Sequence, residues 1–174
     1  MAASIAAAVA TVVAIVMRVM RFATGIAFLV LIGAVLAQVV WRITGDSRVW
    51  TEELTRFALL FLAAFGAGLA LRSGDLVNVD IVCEALPGRW PRRLRLISAA
   101  LTAGLCLLLI PGAWTYMMIG KMQTSPALGW RMDIAHASTL VLIGSLGLFA
   151  AIRVVAMLAG ASDGLPENRE EERA

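Results

Sequence analysis

Charged residues divide an otherwise apolar chain into four long runs. Residues 22–41 are 20 consecutive uncharged positions. At ~1.5 Å per helical residue they reach about 30 Å, one hydrocarbon thickness. Residues 57–71 are also free of charge, and the run extends to 54–71 if Arg56 snorkels to the interface. Residues 96–120 give 25 uncharged positions, long enough to tilt. A fourth run, 134–152, is closed by Asp133 and Arg153. The pattern predicts an all-α integral membrane protein with transmembrane helices at about 22–42, 51–72, 92–120 and 133–158.

Ahead of the first span, Ala2 to Met17 is a further uncharged stretch rich in Ala and Val, but only 16 residues long. It reads as a fifth span, as a signal peptide without a basic n-region, as a helical extension, or as surplus sequence ahead of a start at Met17. The expected reading is a helical, non-spanning N-terminal extension over 1–21. It is followed by a transmembrane domain over 22–158 and a disordered, acidic tail over 159–174. Lys and Arg counts set the orientation. With Arg18 and Arg21 in the cytoplasm, four spans collect ten basic residues inside and leave five outside: Arg42, Arg48, Arg56, Lys121 and Arg131. Both termini are therefore expected to be cytoplasmic.

The segment 74–86 places apolar residues at 76, 77, 79, 81, 82 and 86, with Asp80 and Glu84 on one face. It predicts a short amphipathic cytoplasmic helix between the second and third spans, stopped by Pro87-Gly88. The loop 121–129 between the third and fourth spans has Pro126 and Gly129 as turn formers.

Composition excludes a soluble enzyme. Of 174 residues, 60% are hydrophobic and 16% charged, with mean hydropathy +0.85. A soluble domain of this size cannot hide that much apolar surface. The net charge of +3 reads as a topology signal in a membrane chain, and no nucleic-acid partner is expected. Cys83 and Cys106 are far apart in sequence and at different predicted depths, so no disulfide is expected.

Candidate chemistry is sparse. Glu52, Glu53 and Arg56 stand together beside Trp50 at the start of the second span. They read either as an interfacial helix start with a local ion pair or as a docking point for a partner. His136 is the one histidine; a zinc site needs three or four ligands and a haem anchor commonly two, so a bonded helix-terminal His is expected, with no metal and no cofactor. No acid lies inside any of the four runs, which counts against a proton-relaying pump. Small residues predict close helix packing: Ala63, Gly66, Ala67 and Ala70, with the pairs Ala64–Gly68, Gly66–Ala70, Gly33–Ala37 and Gly147–Ala151. Pro111 should kink the third span. The cluster Arg89, Arg92, Arg93 and Arg95 is expected to grip anionic membrane lipid.

Several of these residues also carry a resemblance. Gln38-Val-Val-Trp-Arg42 ends the first span, Trp50-Thr-Glu-Glu-Leu-Thr-Arg56 opens the second and Gly66-Ala-Gly-Leu-Ala-Leu-Arg72 closes it. Gly74, Val79-Asp80, Leu86-Pro87 and Thr124-Ser-Pro-Ala-Leu-Gly129 follow. In this order and spacing, over about residues 17–158, they resemble the small permease subunit (the Q, or DctQ-like, component) of tripartite ATP-independent periplasmic (TRAP) transporters. Leu76 and Arg131 depart from the family pattern, which often has His and Pro there. The resemblance implies a non-enzymatic subunit of the bacterial inner membrane. Such a subunit pairs one-to-one with a large permease that holds the substrate and sodium sites. A periplasmic binding protein delivers an organic acid such as a C4-dicarboxylate or sialic acid. It also implies assembly contacts at Trp50, Glu52, Glu53, Arg56, Thr124, Ala127, Leu128 and Gly129. The rival classes are a membrane anchor of a respiratory oxidoreductase and a small autonomous exporter.

Overall fold

A chain without water around it must satisfy its backbone internally, and uncharged runs of this length do so as helices. In the computed structural model, which describes residues 2–45, 48–73 and 90–160, four helices follow in order: α1 (Ala2–Ile43), α2 (Val49–Ser73), α3 (Trp90–Gly120) and α4 (Asp133–Leu158). All four are long and apolar enough to cross a membrane. The predicted amphipathic helix at 74–86 lies outside the described residues, as does the tail from 161. Ala159 and Gly160 close α4, with Gly160 at φ +71°.

α1 is unbroken from Ala2 through Arg18 and Arg21 to Ile43, 42 residues. At ~1.5 Å per residue it is about 63 Å long, twice a hydrocarbon core. Its early turns are packed, because Val13, Met17 and Phe149 form a buried cluster against which Val16, Met20, Leu69, Leu71 and Ile152 rest. The other end of α1 is tied to α2 by Arg48, whose guanidinium lies 5.4 Å from the Trp41 ring centroid.

The helices stand side by side as α1–α2–α4–α3. α2 and α4 run parallel and meet through small side chains. A methyl group added to Gly68 would fall 2.8 Å from Ser145 Cβ and 3.3 Å from Phe149. The Ser145 hydroxyl lies 3.3 Å from the Ala64 carbonyl across the interface and 3.0 Å from its own Leu142 carbonyl, donating between them. α3 and α4 are antiparallel, and a methyl on Gly147 would fall 2.9 Å from Cys106 Cβ. Cys106 is a free, buried thiol that packs as a small apolar group. α3 continues through Pro111 to Gly120.

This changes the small-residue expectation for α2. Gly147 does sit at a helix contact. On α2, however, the close approach belongs to the i, i+4 pair Ala64 and Gly68, both buried. Ala63 is exposed, Gly66 has open space around it, and Ala67 and Ala70 are half-buried. Helical residues are ~100° apart, so Ala63 and Ala67 face the neighbouring sector. Replacing Ser145 with Ala should cost about 0.6 kcal/mol, the typical worth of an interhelical hydrogen bond in a membrane. Reversible unfolding in bicelles measures it.

Candidate functional site

The first turn of α2 is organised around the Arg48 carbonyl, which accepts from Thr51 N at 3.2 Å and from Thr51 Oγ1 at 2.7 Å. Thr51 is fully buried, and its own carbonyl accepts from Thr55 Oγ1 at 2.8 Å. This fixes the helix start, and the helical period then aims Glu53 and Phe57 in one direction and Glu52 and Arg56 in another. Glu53 is 9% exposed, whereas Glu52 and Arg56 are exposed.

Glu53 meets the α3–α4 loop. Its Oε2 accepts from Ala127 N at 3.0 Å and from Leu128 N at 2.9 Å. The buried Ser125 hydroxyl bonds the same carboxylate and also accepts from Leu128 N at 3.2 Å. Three donors from one short segment thus converge on one side chain. Such charge-assisted bonds are roughly twice as strong as neutral ones.

The loop is built to present those amides. Thr124 and Arg131 form an antiparallel bridge, Ser125 N donates to Trp130 O at 2.7 Å, and Met132 N donates to Gln123 O at 3.0 Å. Gly129 turns the chain back at φ +68°, a conformation that side-chain-bearing residues rarely adopt. One helical turn along from Glu53, the Phe57 ring meets Trp130, 6.5 Å between centroids and tilted by 34°. Arg131 pairs with Asp133 at 2.6 Å in the first turn of α4.

At the same end, His136 is 9% exposed and lies parallel to the Tyr116 ring at 3.9 Å. Its Nδ1 is 3.0 Å from the Tyr116 carbonyl, so that nitrogen carries the proton and donates. The Tyr116 ring, the Tyr116 carbonyl and Gly120 pack around this imidazole at the start of α4. Among the described residues no three His, Cys, Asp or Glu side chains group as a metal site would require.

Of the expected contact set, the structure joins Glu53 to Ala127 and Leu128, with Thr124 and Gly129 shaping the same loop. Trp50, Glu52 and Arg56 stay on the exposed side. Thr51, Ser125, Phe57 and Trp130 complete the clasp, and sequence reasoning passed over them. The Ser-Pro turn at 125–126 was the available signal for Ser125. Of the expected lipid-binding arginines, Arg95 is 8% exposed and buried in the fold, which removes it from a lipid-facing role. Arg92 and Arg93 are exposed, and Arg89 lies outside the described residues.

Four apolar helices, with carboxylates confined to their ends among the described residues, define a multi-pass, all-α membrane protein. The profile of the family described as tripartite ATP-independent periplasmic transporters, DctQ component, matches residues 31–160, and the chain belongs to this family. It is 32% identical, over 119 residues and 64% of its length, to the isethionate TRAP transporter permease protein DctMQ of Oleidesulfovibrio alaskensis. It is also similar to two putative TRAP transporter small permease proteins of Haemophilus influenzae. One is 25% identical over 52% of this chain, and the other 27% identical over 71% of this chain and 76% of the relative. The chain spans 17% of the isethionate protein and 56% of the first Haemophilus relative. The family is one of transporter components rather than enzymes.

Proposed function

We propose that this chain is the small membrane subunit of a TRAP transporter. In this reading it braces a large permease subunit, one-to-one, during uptake of an organic acid that a periplasmic binding protein delivers and a sodium gradient drives. Both termini lie in the cytoplasm, residues 1–21 begin as a helical extension that does not cross the membrane, and the Glu53 clasp faces the periplasm. The observation that carries the reading is the clasp itself. The one buried carboxylate among the described residues is spent on the chain's own loop and is not open to a travelling ion or substrate. The runs 57–71, 96–120 and 137–152 contain no Asp, Glu, Lys, Arg or His to meet an anion in transit.

The relatives support the same division of labour. The isethionate protein's name joins M with Q, and this chain matches only 17% of it. The substrate class is kept at organic acids, C4-dicarboxylates and sialic acid among them.

The test is reconstitution. Deleting this chain should abolish uptake while the binding protein and large permease are still made, and a pull-down should recover the large permease at equal stoichiometry. Uptake by proteoliposomes containing this chain alone, or haem in the purified chain, would overturn the proposal in favour of an exporter or an oxidoreductase anchor.

A further inference from the structure

The end of the fold opposite the clasp is strongly basic. Among the described residues all three acids, Glu52, Glu53 and Asp133, lie at the clasp end. Arg92 and Arg93 stand at the other end, in the first turn of α3, which carries no acid. Trp90 opens that helix and is 55% exposed. The Arg93 guanidinium lies 5.8 Å from the Trp90 ring centroid, so a cation and an aromatic face form one exposed platform. Arg92 extends the other way and donates from Nη2 to the Met157 carbonyl at 2.9 Å. That bond puts Arg92 at the depth where α4 ends. The uncharged run of α3 begins one turn further on, at residue 96. The platform therefore sits at headgroup depth, where Trp and Arg are both favoured.

From this geometry we propose that Trp90, Arg92 and Arg93 form a binding site for the phosphodiester of an anionic glycerophospholipid such as phosphatidylglycerol. The ring packs against the glycerol and upper acyl region while the Arg93 guanidinium holds the phosphate, and Arg92, bonded to the end of α4, adds its charge from that side. Since Arg92 also holds α4, the bound lipid ties the ends of α3 and α4 together. The site rests on the membrane placement of the helices and is independent of what the transporter carries.

Native mass spectrometry of the full-length chain, exchanged between phosphatidylglycerol and phosphatidylcholine, tests it. The wild type should retain phosphatidylglycerol preferentially. A basic side chain at this depth is worth ~1 kcal/mol, which is about fivefold at 1.4 kcal/mol per decade. Arg93→Gln should therefore lower the preference about fivefold, Arg93→Lys should keep most of it, and Arg92→Gln with Arg93→Gln should lose about 25-fold. Arg93→Gln leaves the Met157 bond intact, so its result stands even where the double variant folds poorly. Equal retention of the two lipids by the wild type overturns the site. So does displacement of phosphatidylglycerol by inorganic phosphate, which would mark a free-anion site instead.

Discussion

Glu53→Gln is expected to leave the chain expressed and inserted but to lower both recovery of the large permease and uptake about tenfold, the effect of losing a charged acceptor shared by several donors. The carboxylate accepts from two adjacent backbone amides and a hydroxyl, and the loop between α3 and α4 has its fixed shape largely because of this. A Gln keeps one acceptor oxygen but loses the charge, and its NH2 brings two donors to a place already crowded with donors. Glu53→Asp should behave similarly, because a side chain one methylene shorter falls short of Ala127 N and Leu128 N. Glu52→Gln is the matched control: it alters the neighbouring, exposed residue and should leave both readouts unchanged. Arg56→Gln, also exposed, should have a small effect, since surface charge contacts are worth little. Wild-type pull-down and uptake for Glu53→Gln would reduce the clasp to a helix start without an assembly role.

A larger structural effect is expected at Gly120. A Cβ there would lie 2.7 Å from Asp133 N and from His136 Nδ1, and 2.8 Å from Asp133 Cα. Two of these atoms are backbone at the first residue of α4, so no side-chain rotation relieves the clash. Gly120→Ala must push α4 away from α3, which strains the His136–Tyr116 stack and the Nδ1 bond. Overpacking of this kind costs about 1–3 kcal/mol, and Gly120→Val should lie at or beyond the upper end. The same helix supplies its own comparison. Gly104 and Gly112 have open space where a methyl would go. Gly104→Ala and Gly112→Ala should be neutral or stabilising by up to ~1 kcal/mol, the helix-propensity gain. Thermal unfolding in detergent of the three alanine variants settles the order, and equal midpoints would refute it.

The spans were legible because charge is costly in hydrocarbon. The expected 51–72, 92–120 and 133–158 compare with Val49–Ser73, Trp90–Gly120 and Asp133–Leu158. α1 illustrates the limit of that signal. Arg18 and Arg21 mark a boundary in polarity, yet neither residue breaks a helix, and the chain runs through both. Which side a residue faces was harder to read. Glu52 and Glu53 are adjacent and chemically alike, and the loop that selects Glu53 is 74 residues away. The small residues of α2 surround most of its circumference, so the pattern named both Ala64–Gly68 and Gly66–Ala70 and could not tell that the first pair makes the contact. Arg95 follows Arg92 by three residues in one basic cluster. Its burial is a tertiary fact with no local trace.

The order in which the helices stand has a mechanical meaning. Among the described residues no close backbone approach joins α1 to α3, and α1 reaches α4 only through side chains such as Val13, Met17 and Phe149, so the four helices do not close into a ring. What this order gives is breadth: α1 and α3 stand on opposite flanks of the α2–α4 pair, each ~9 Å from the helix it packs against. In the function proposed above, a permease attached along one flank of so broad an assembly would be hard to tip, because any rocking would have to drag the whole assembly sideways through lipid. In a membrane machine, that is the action of an outrigger.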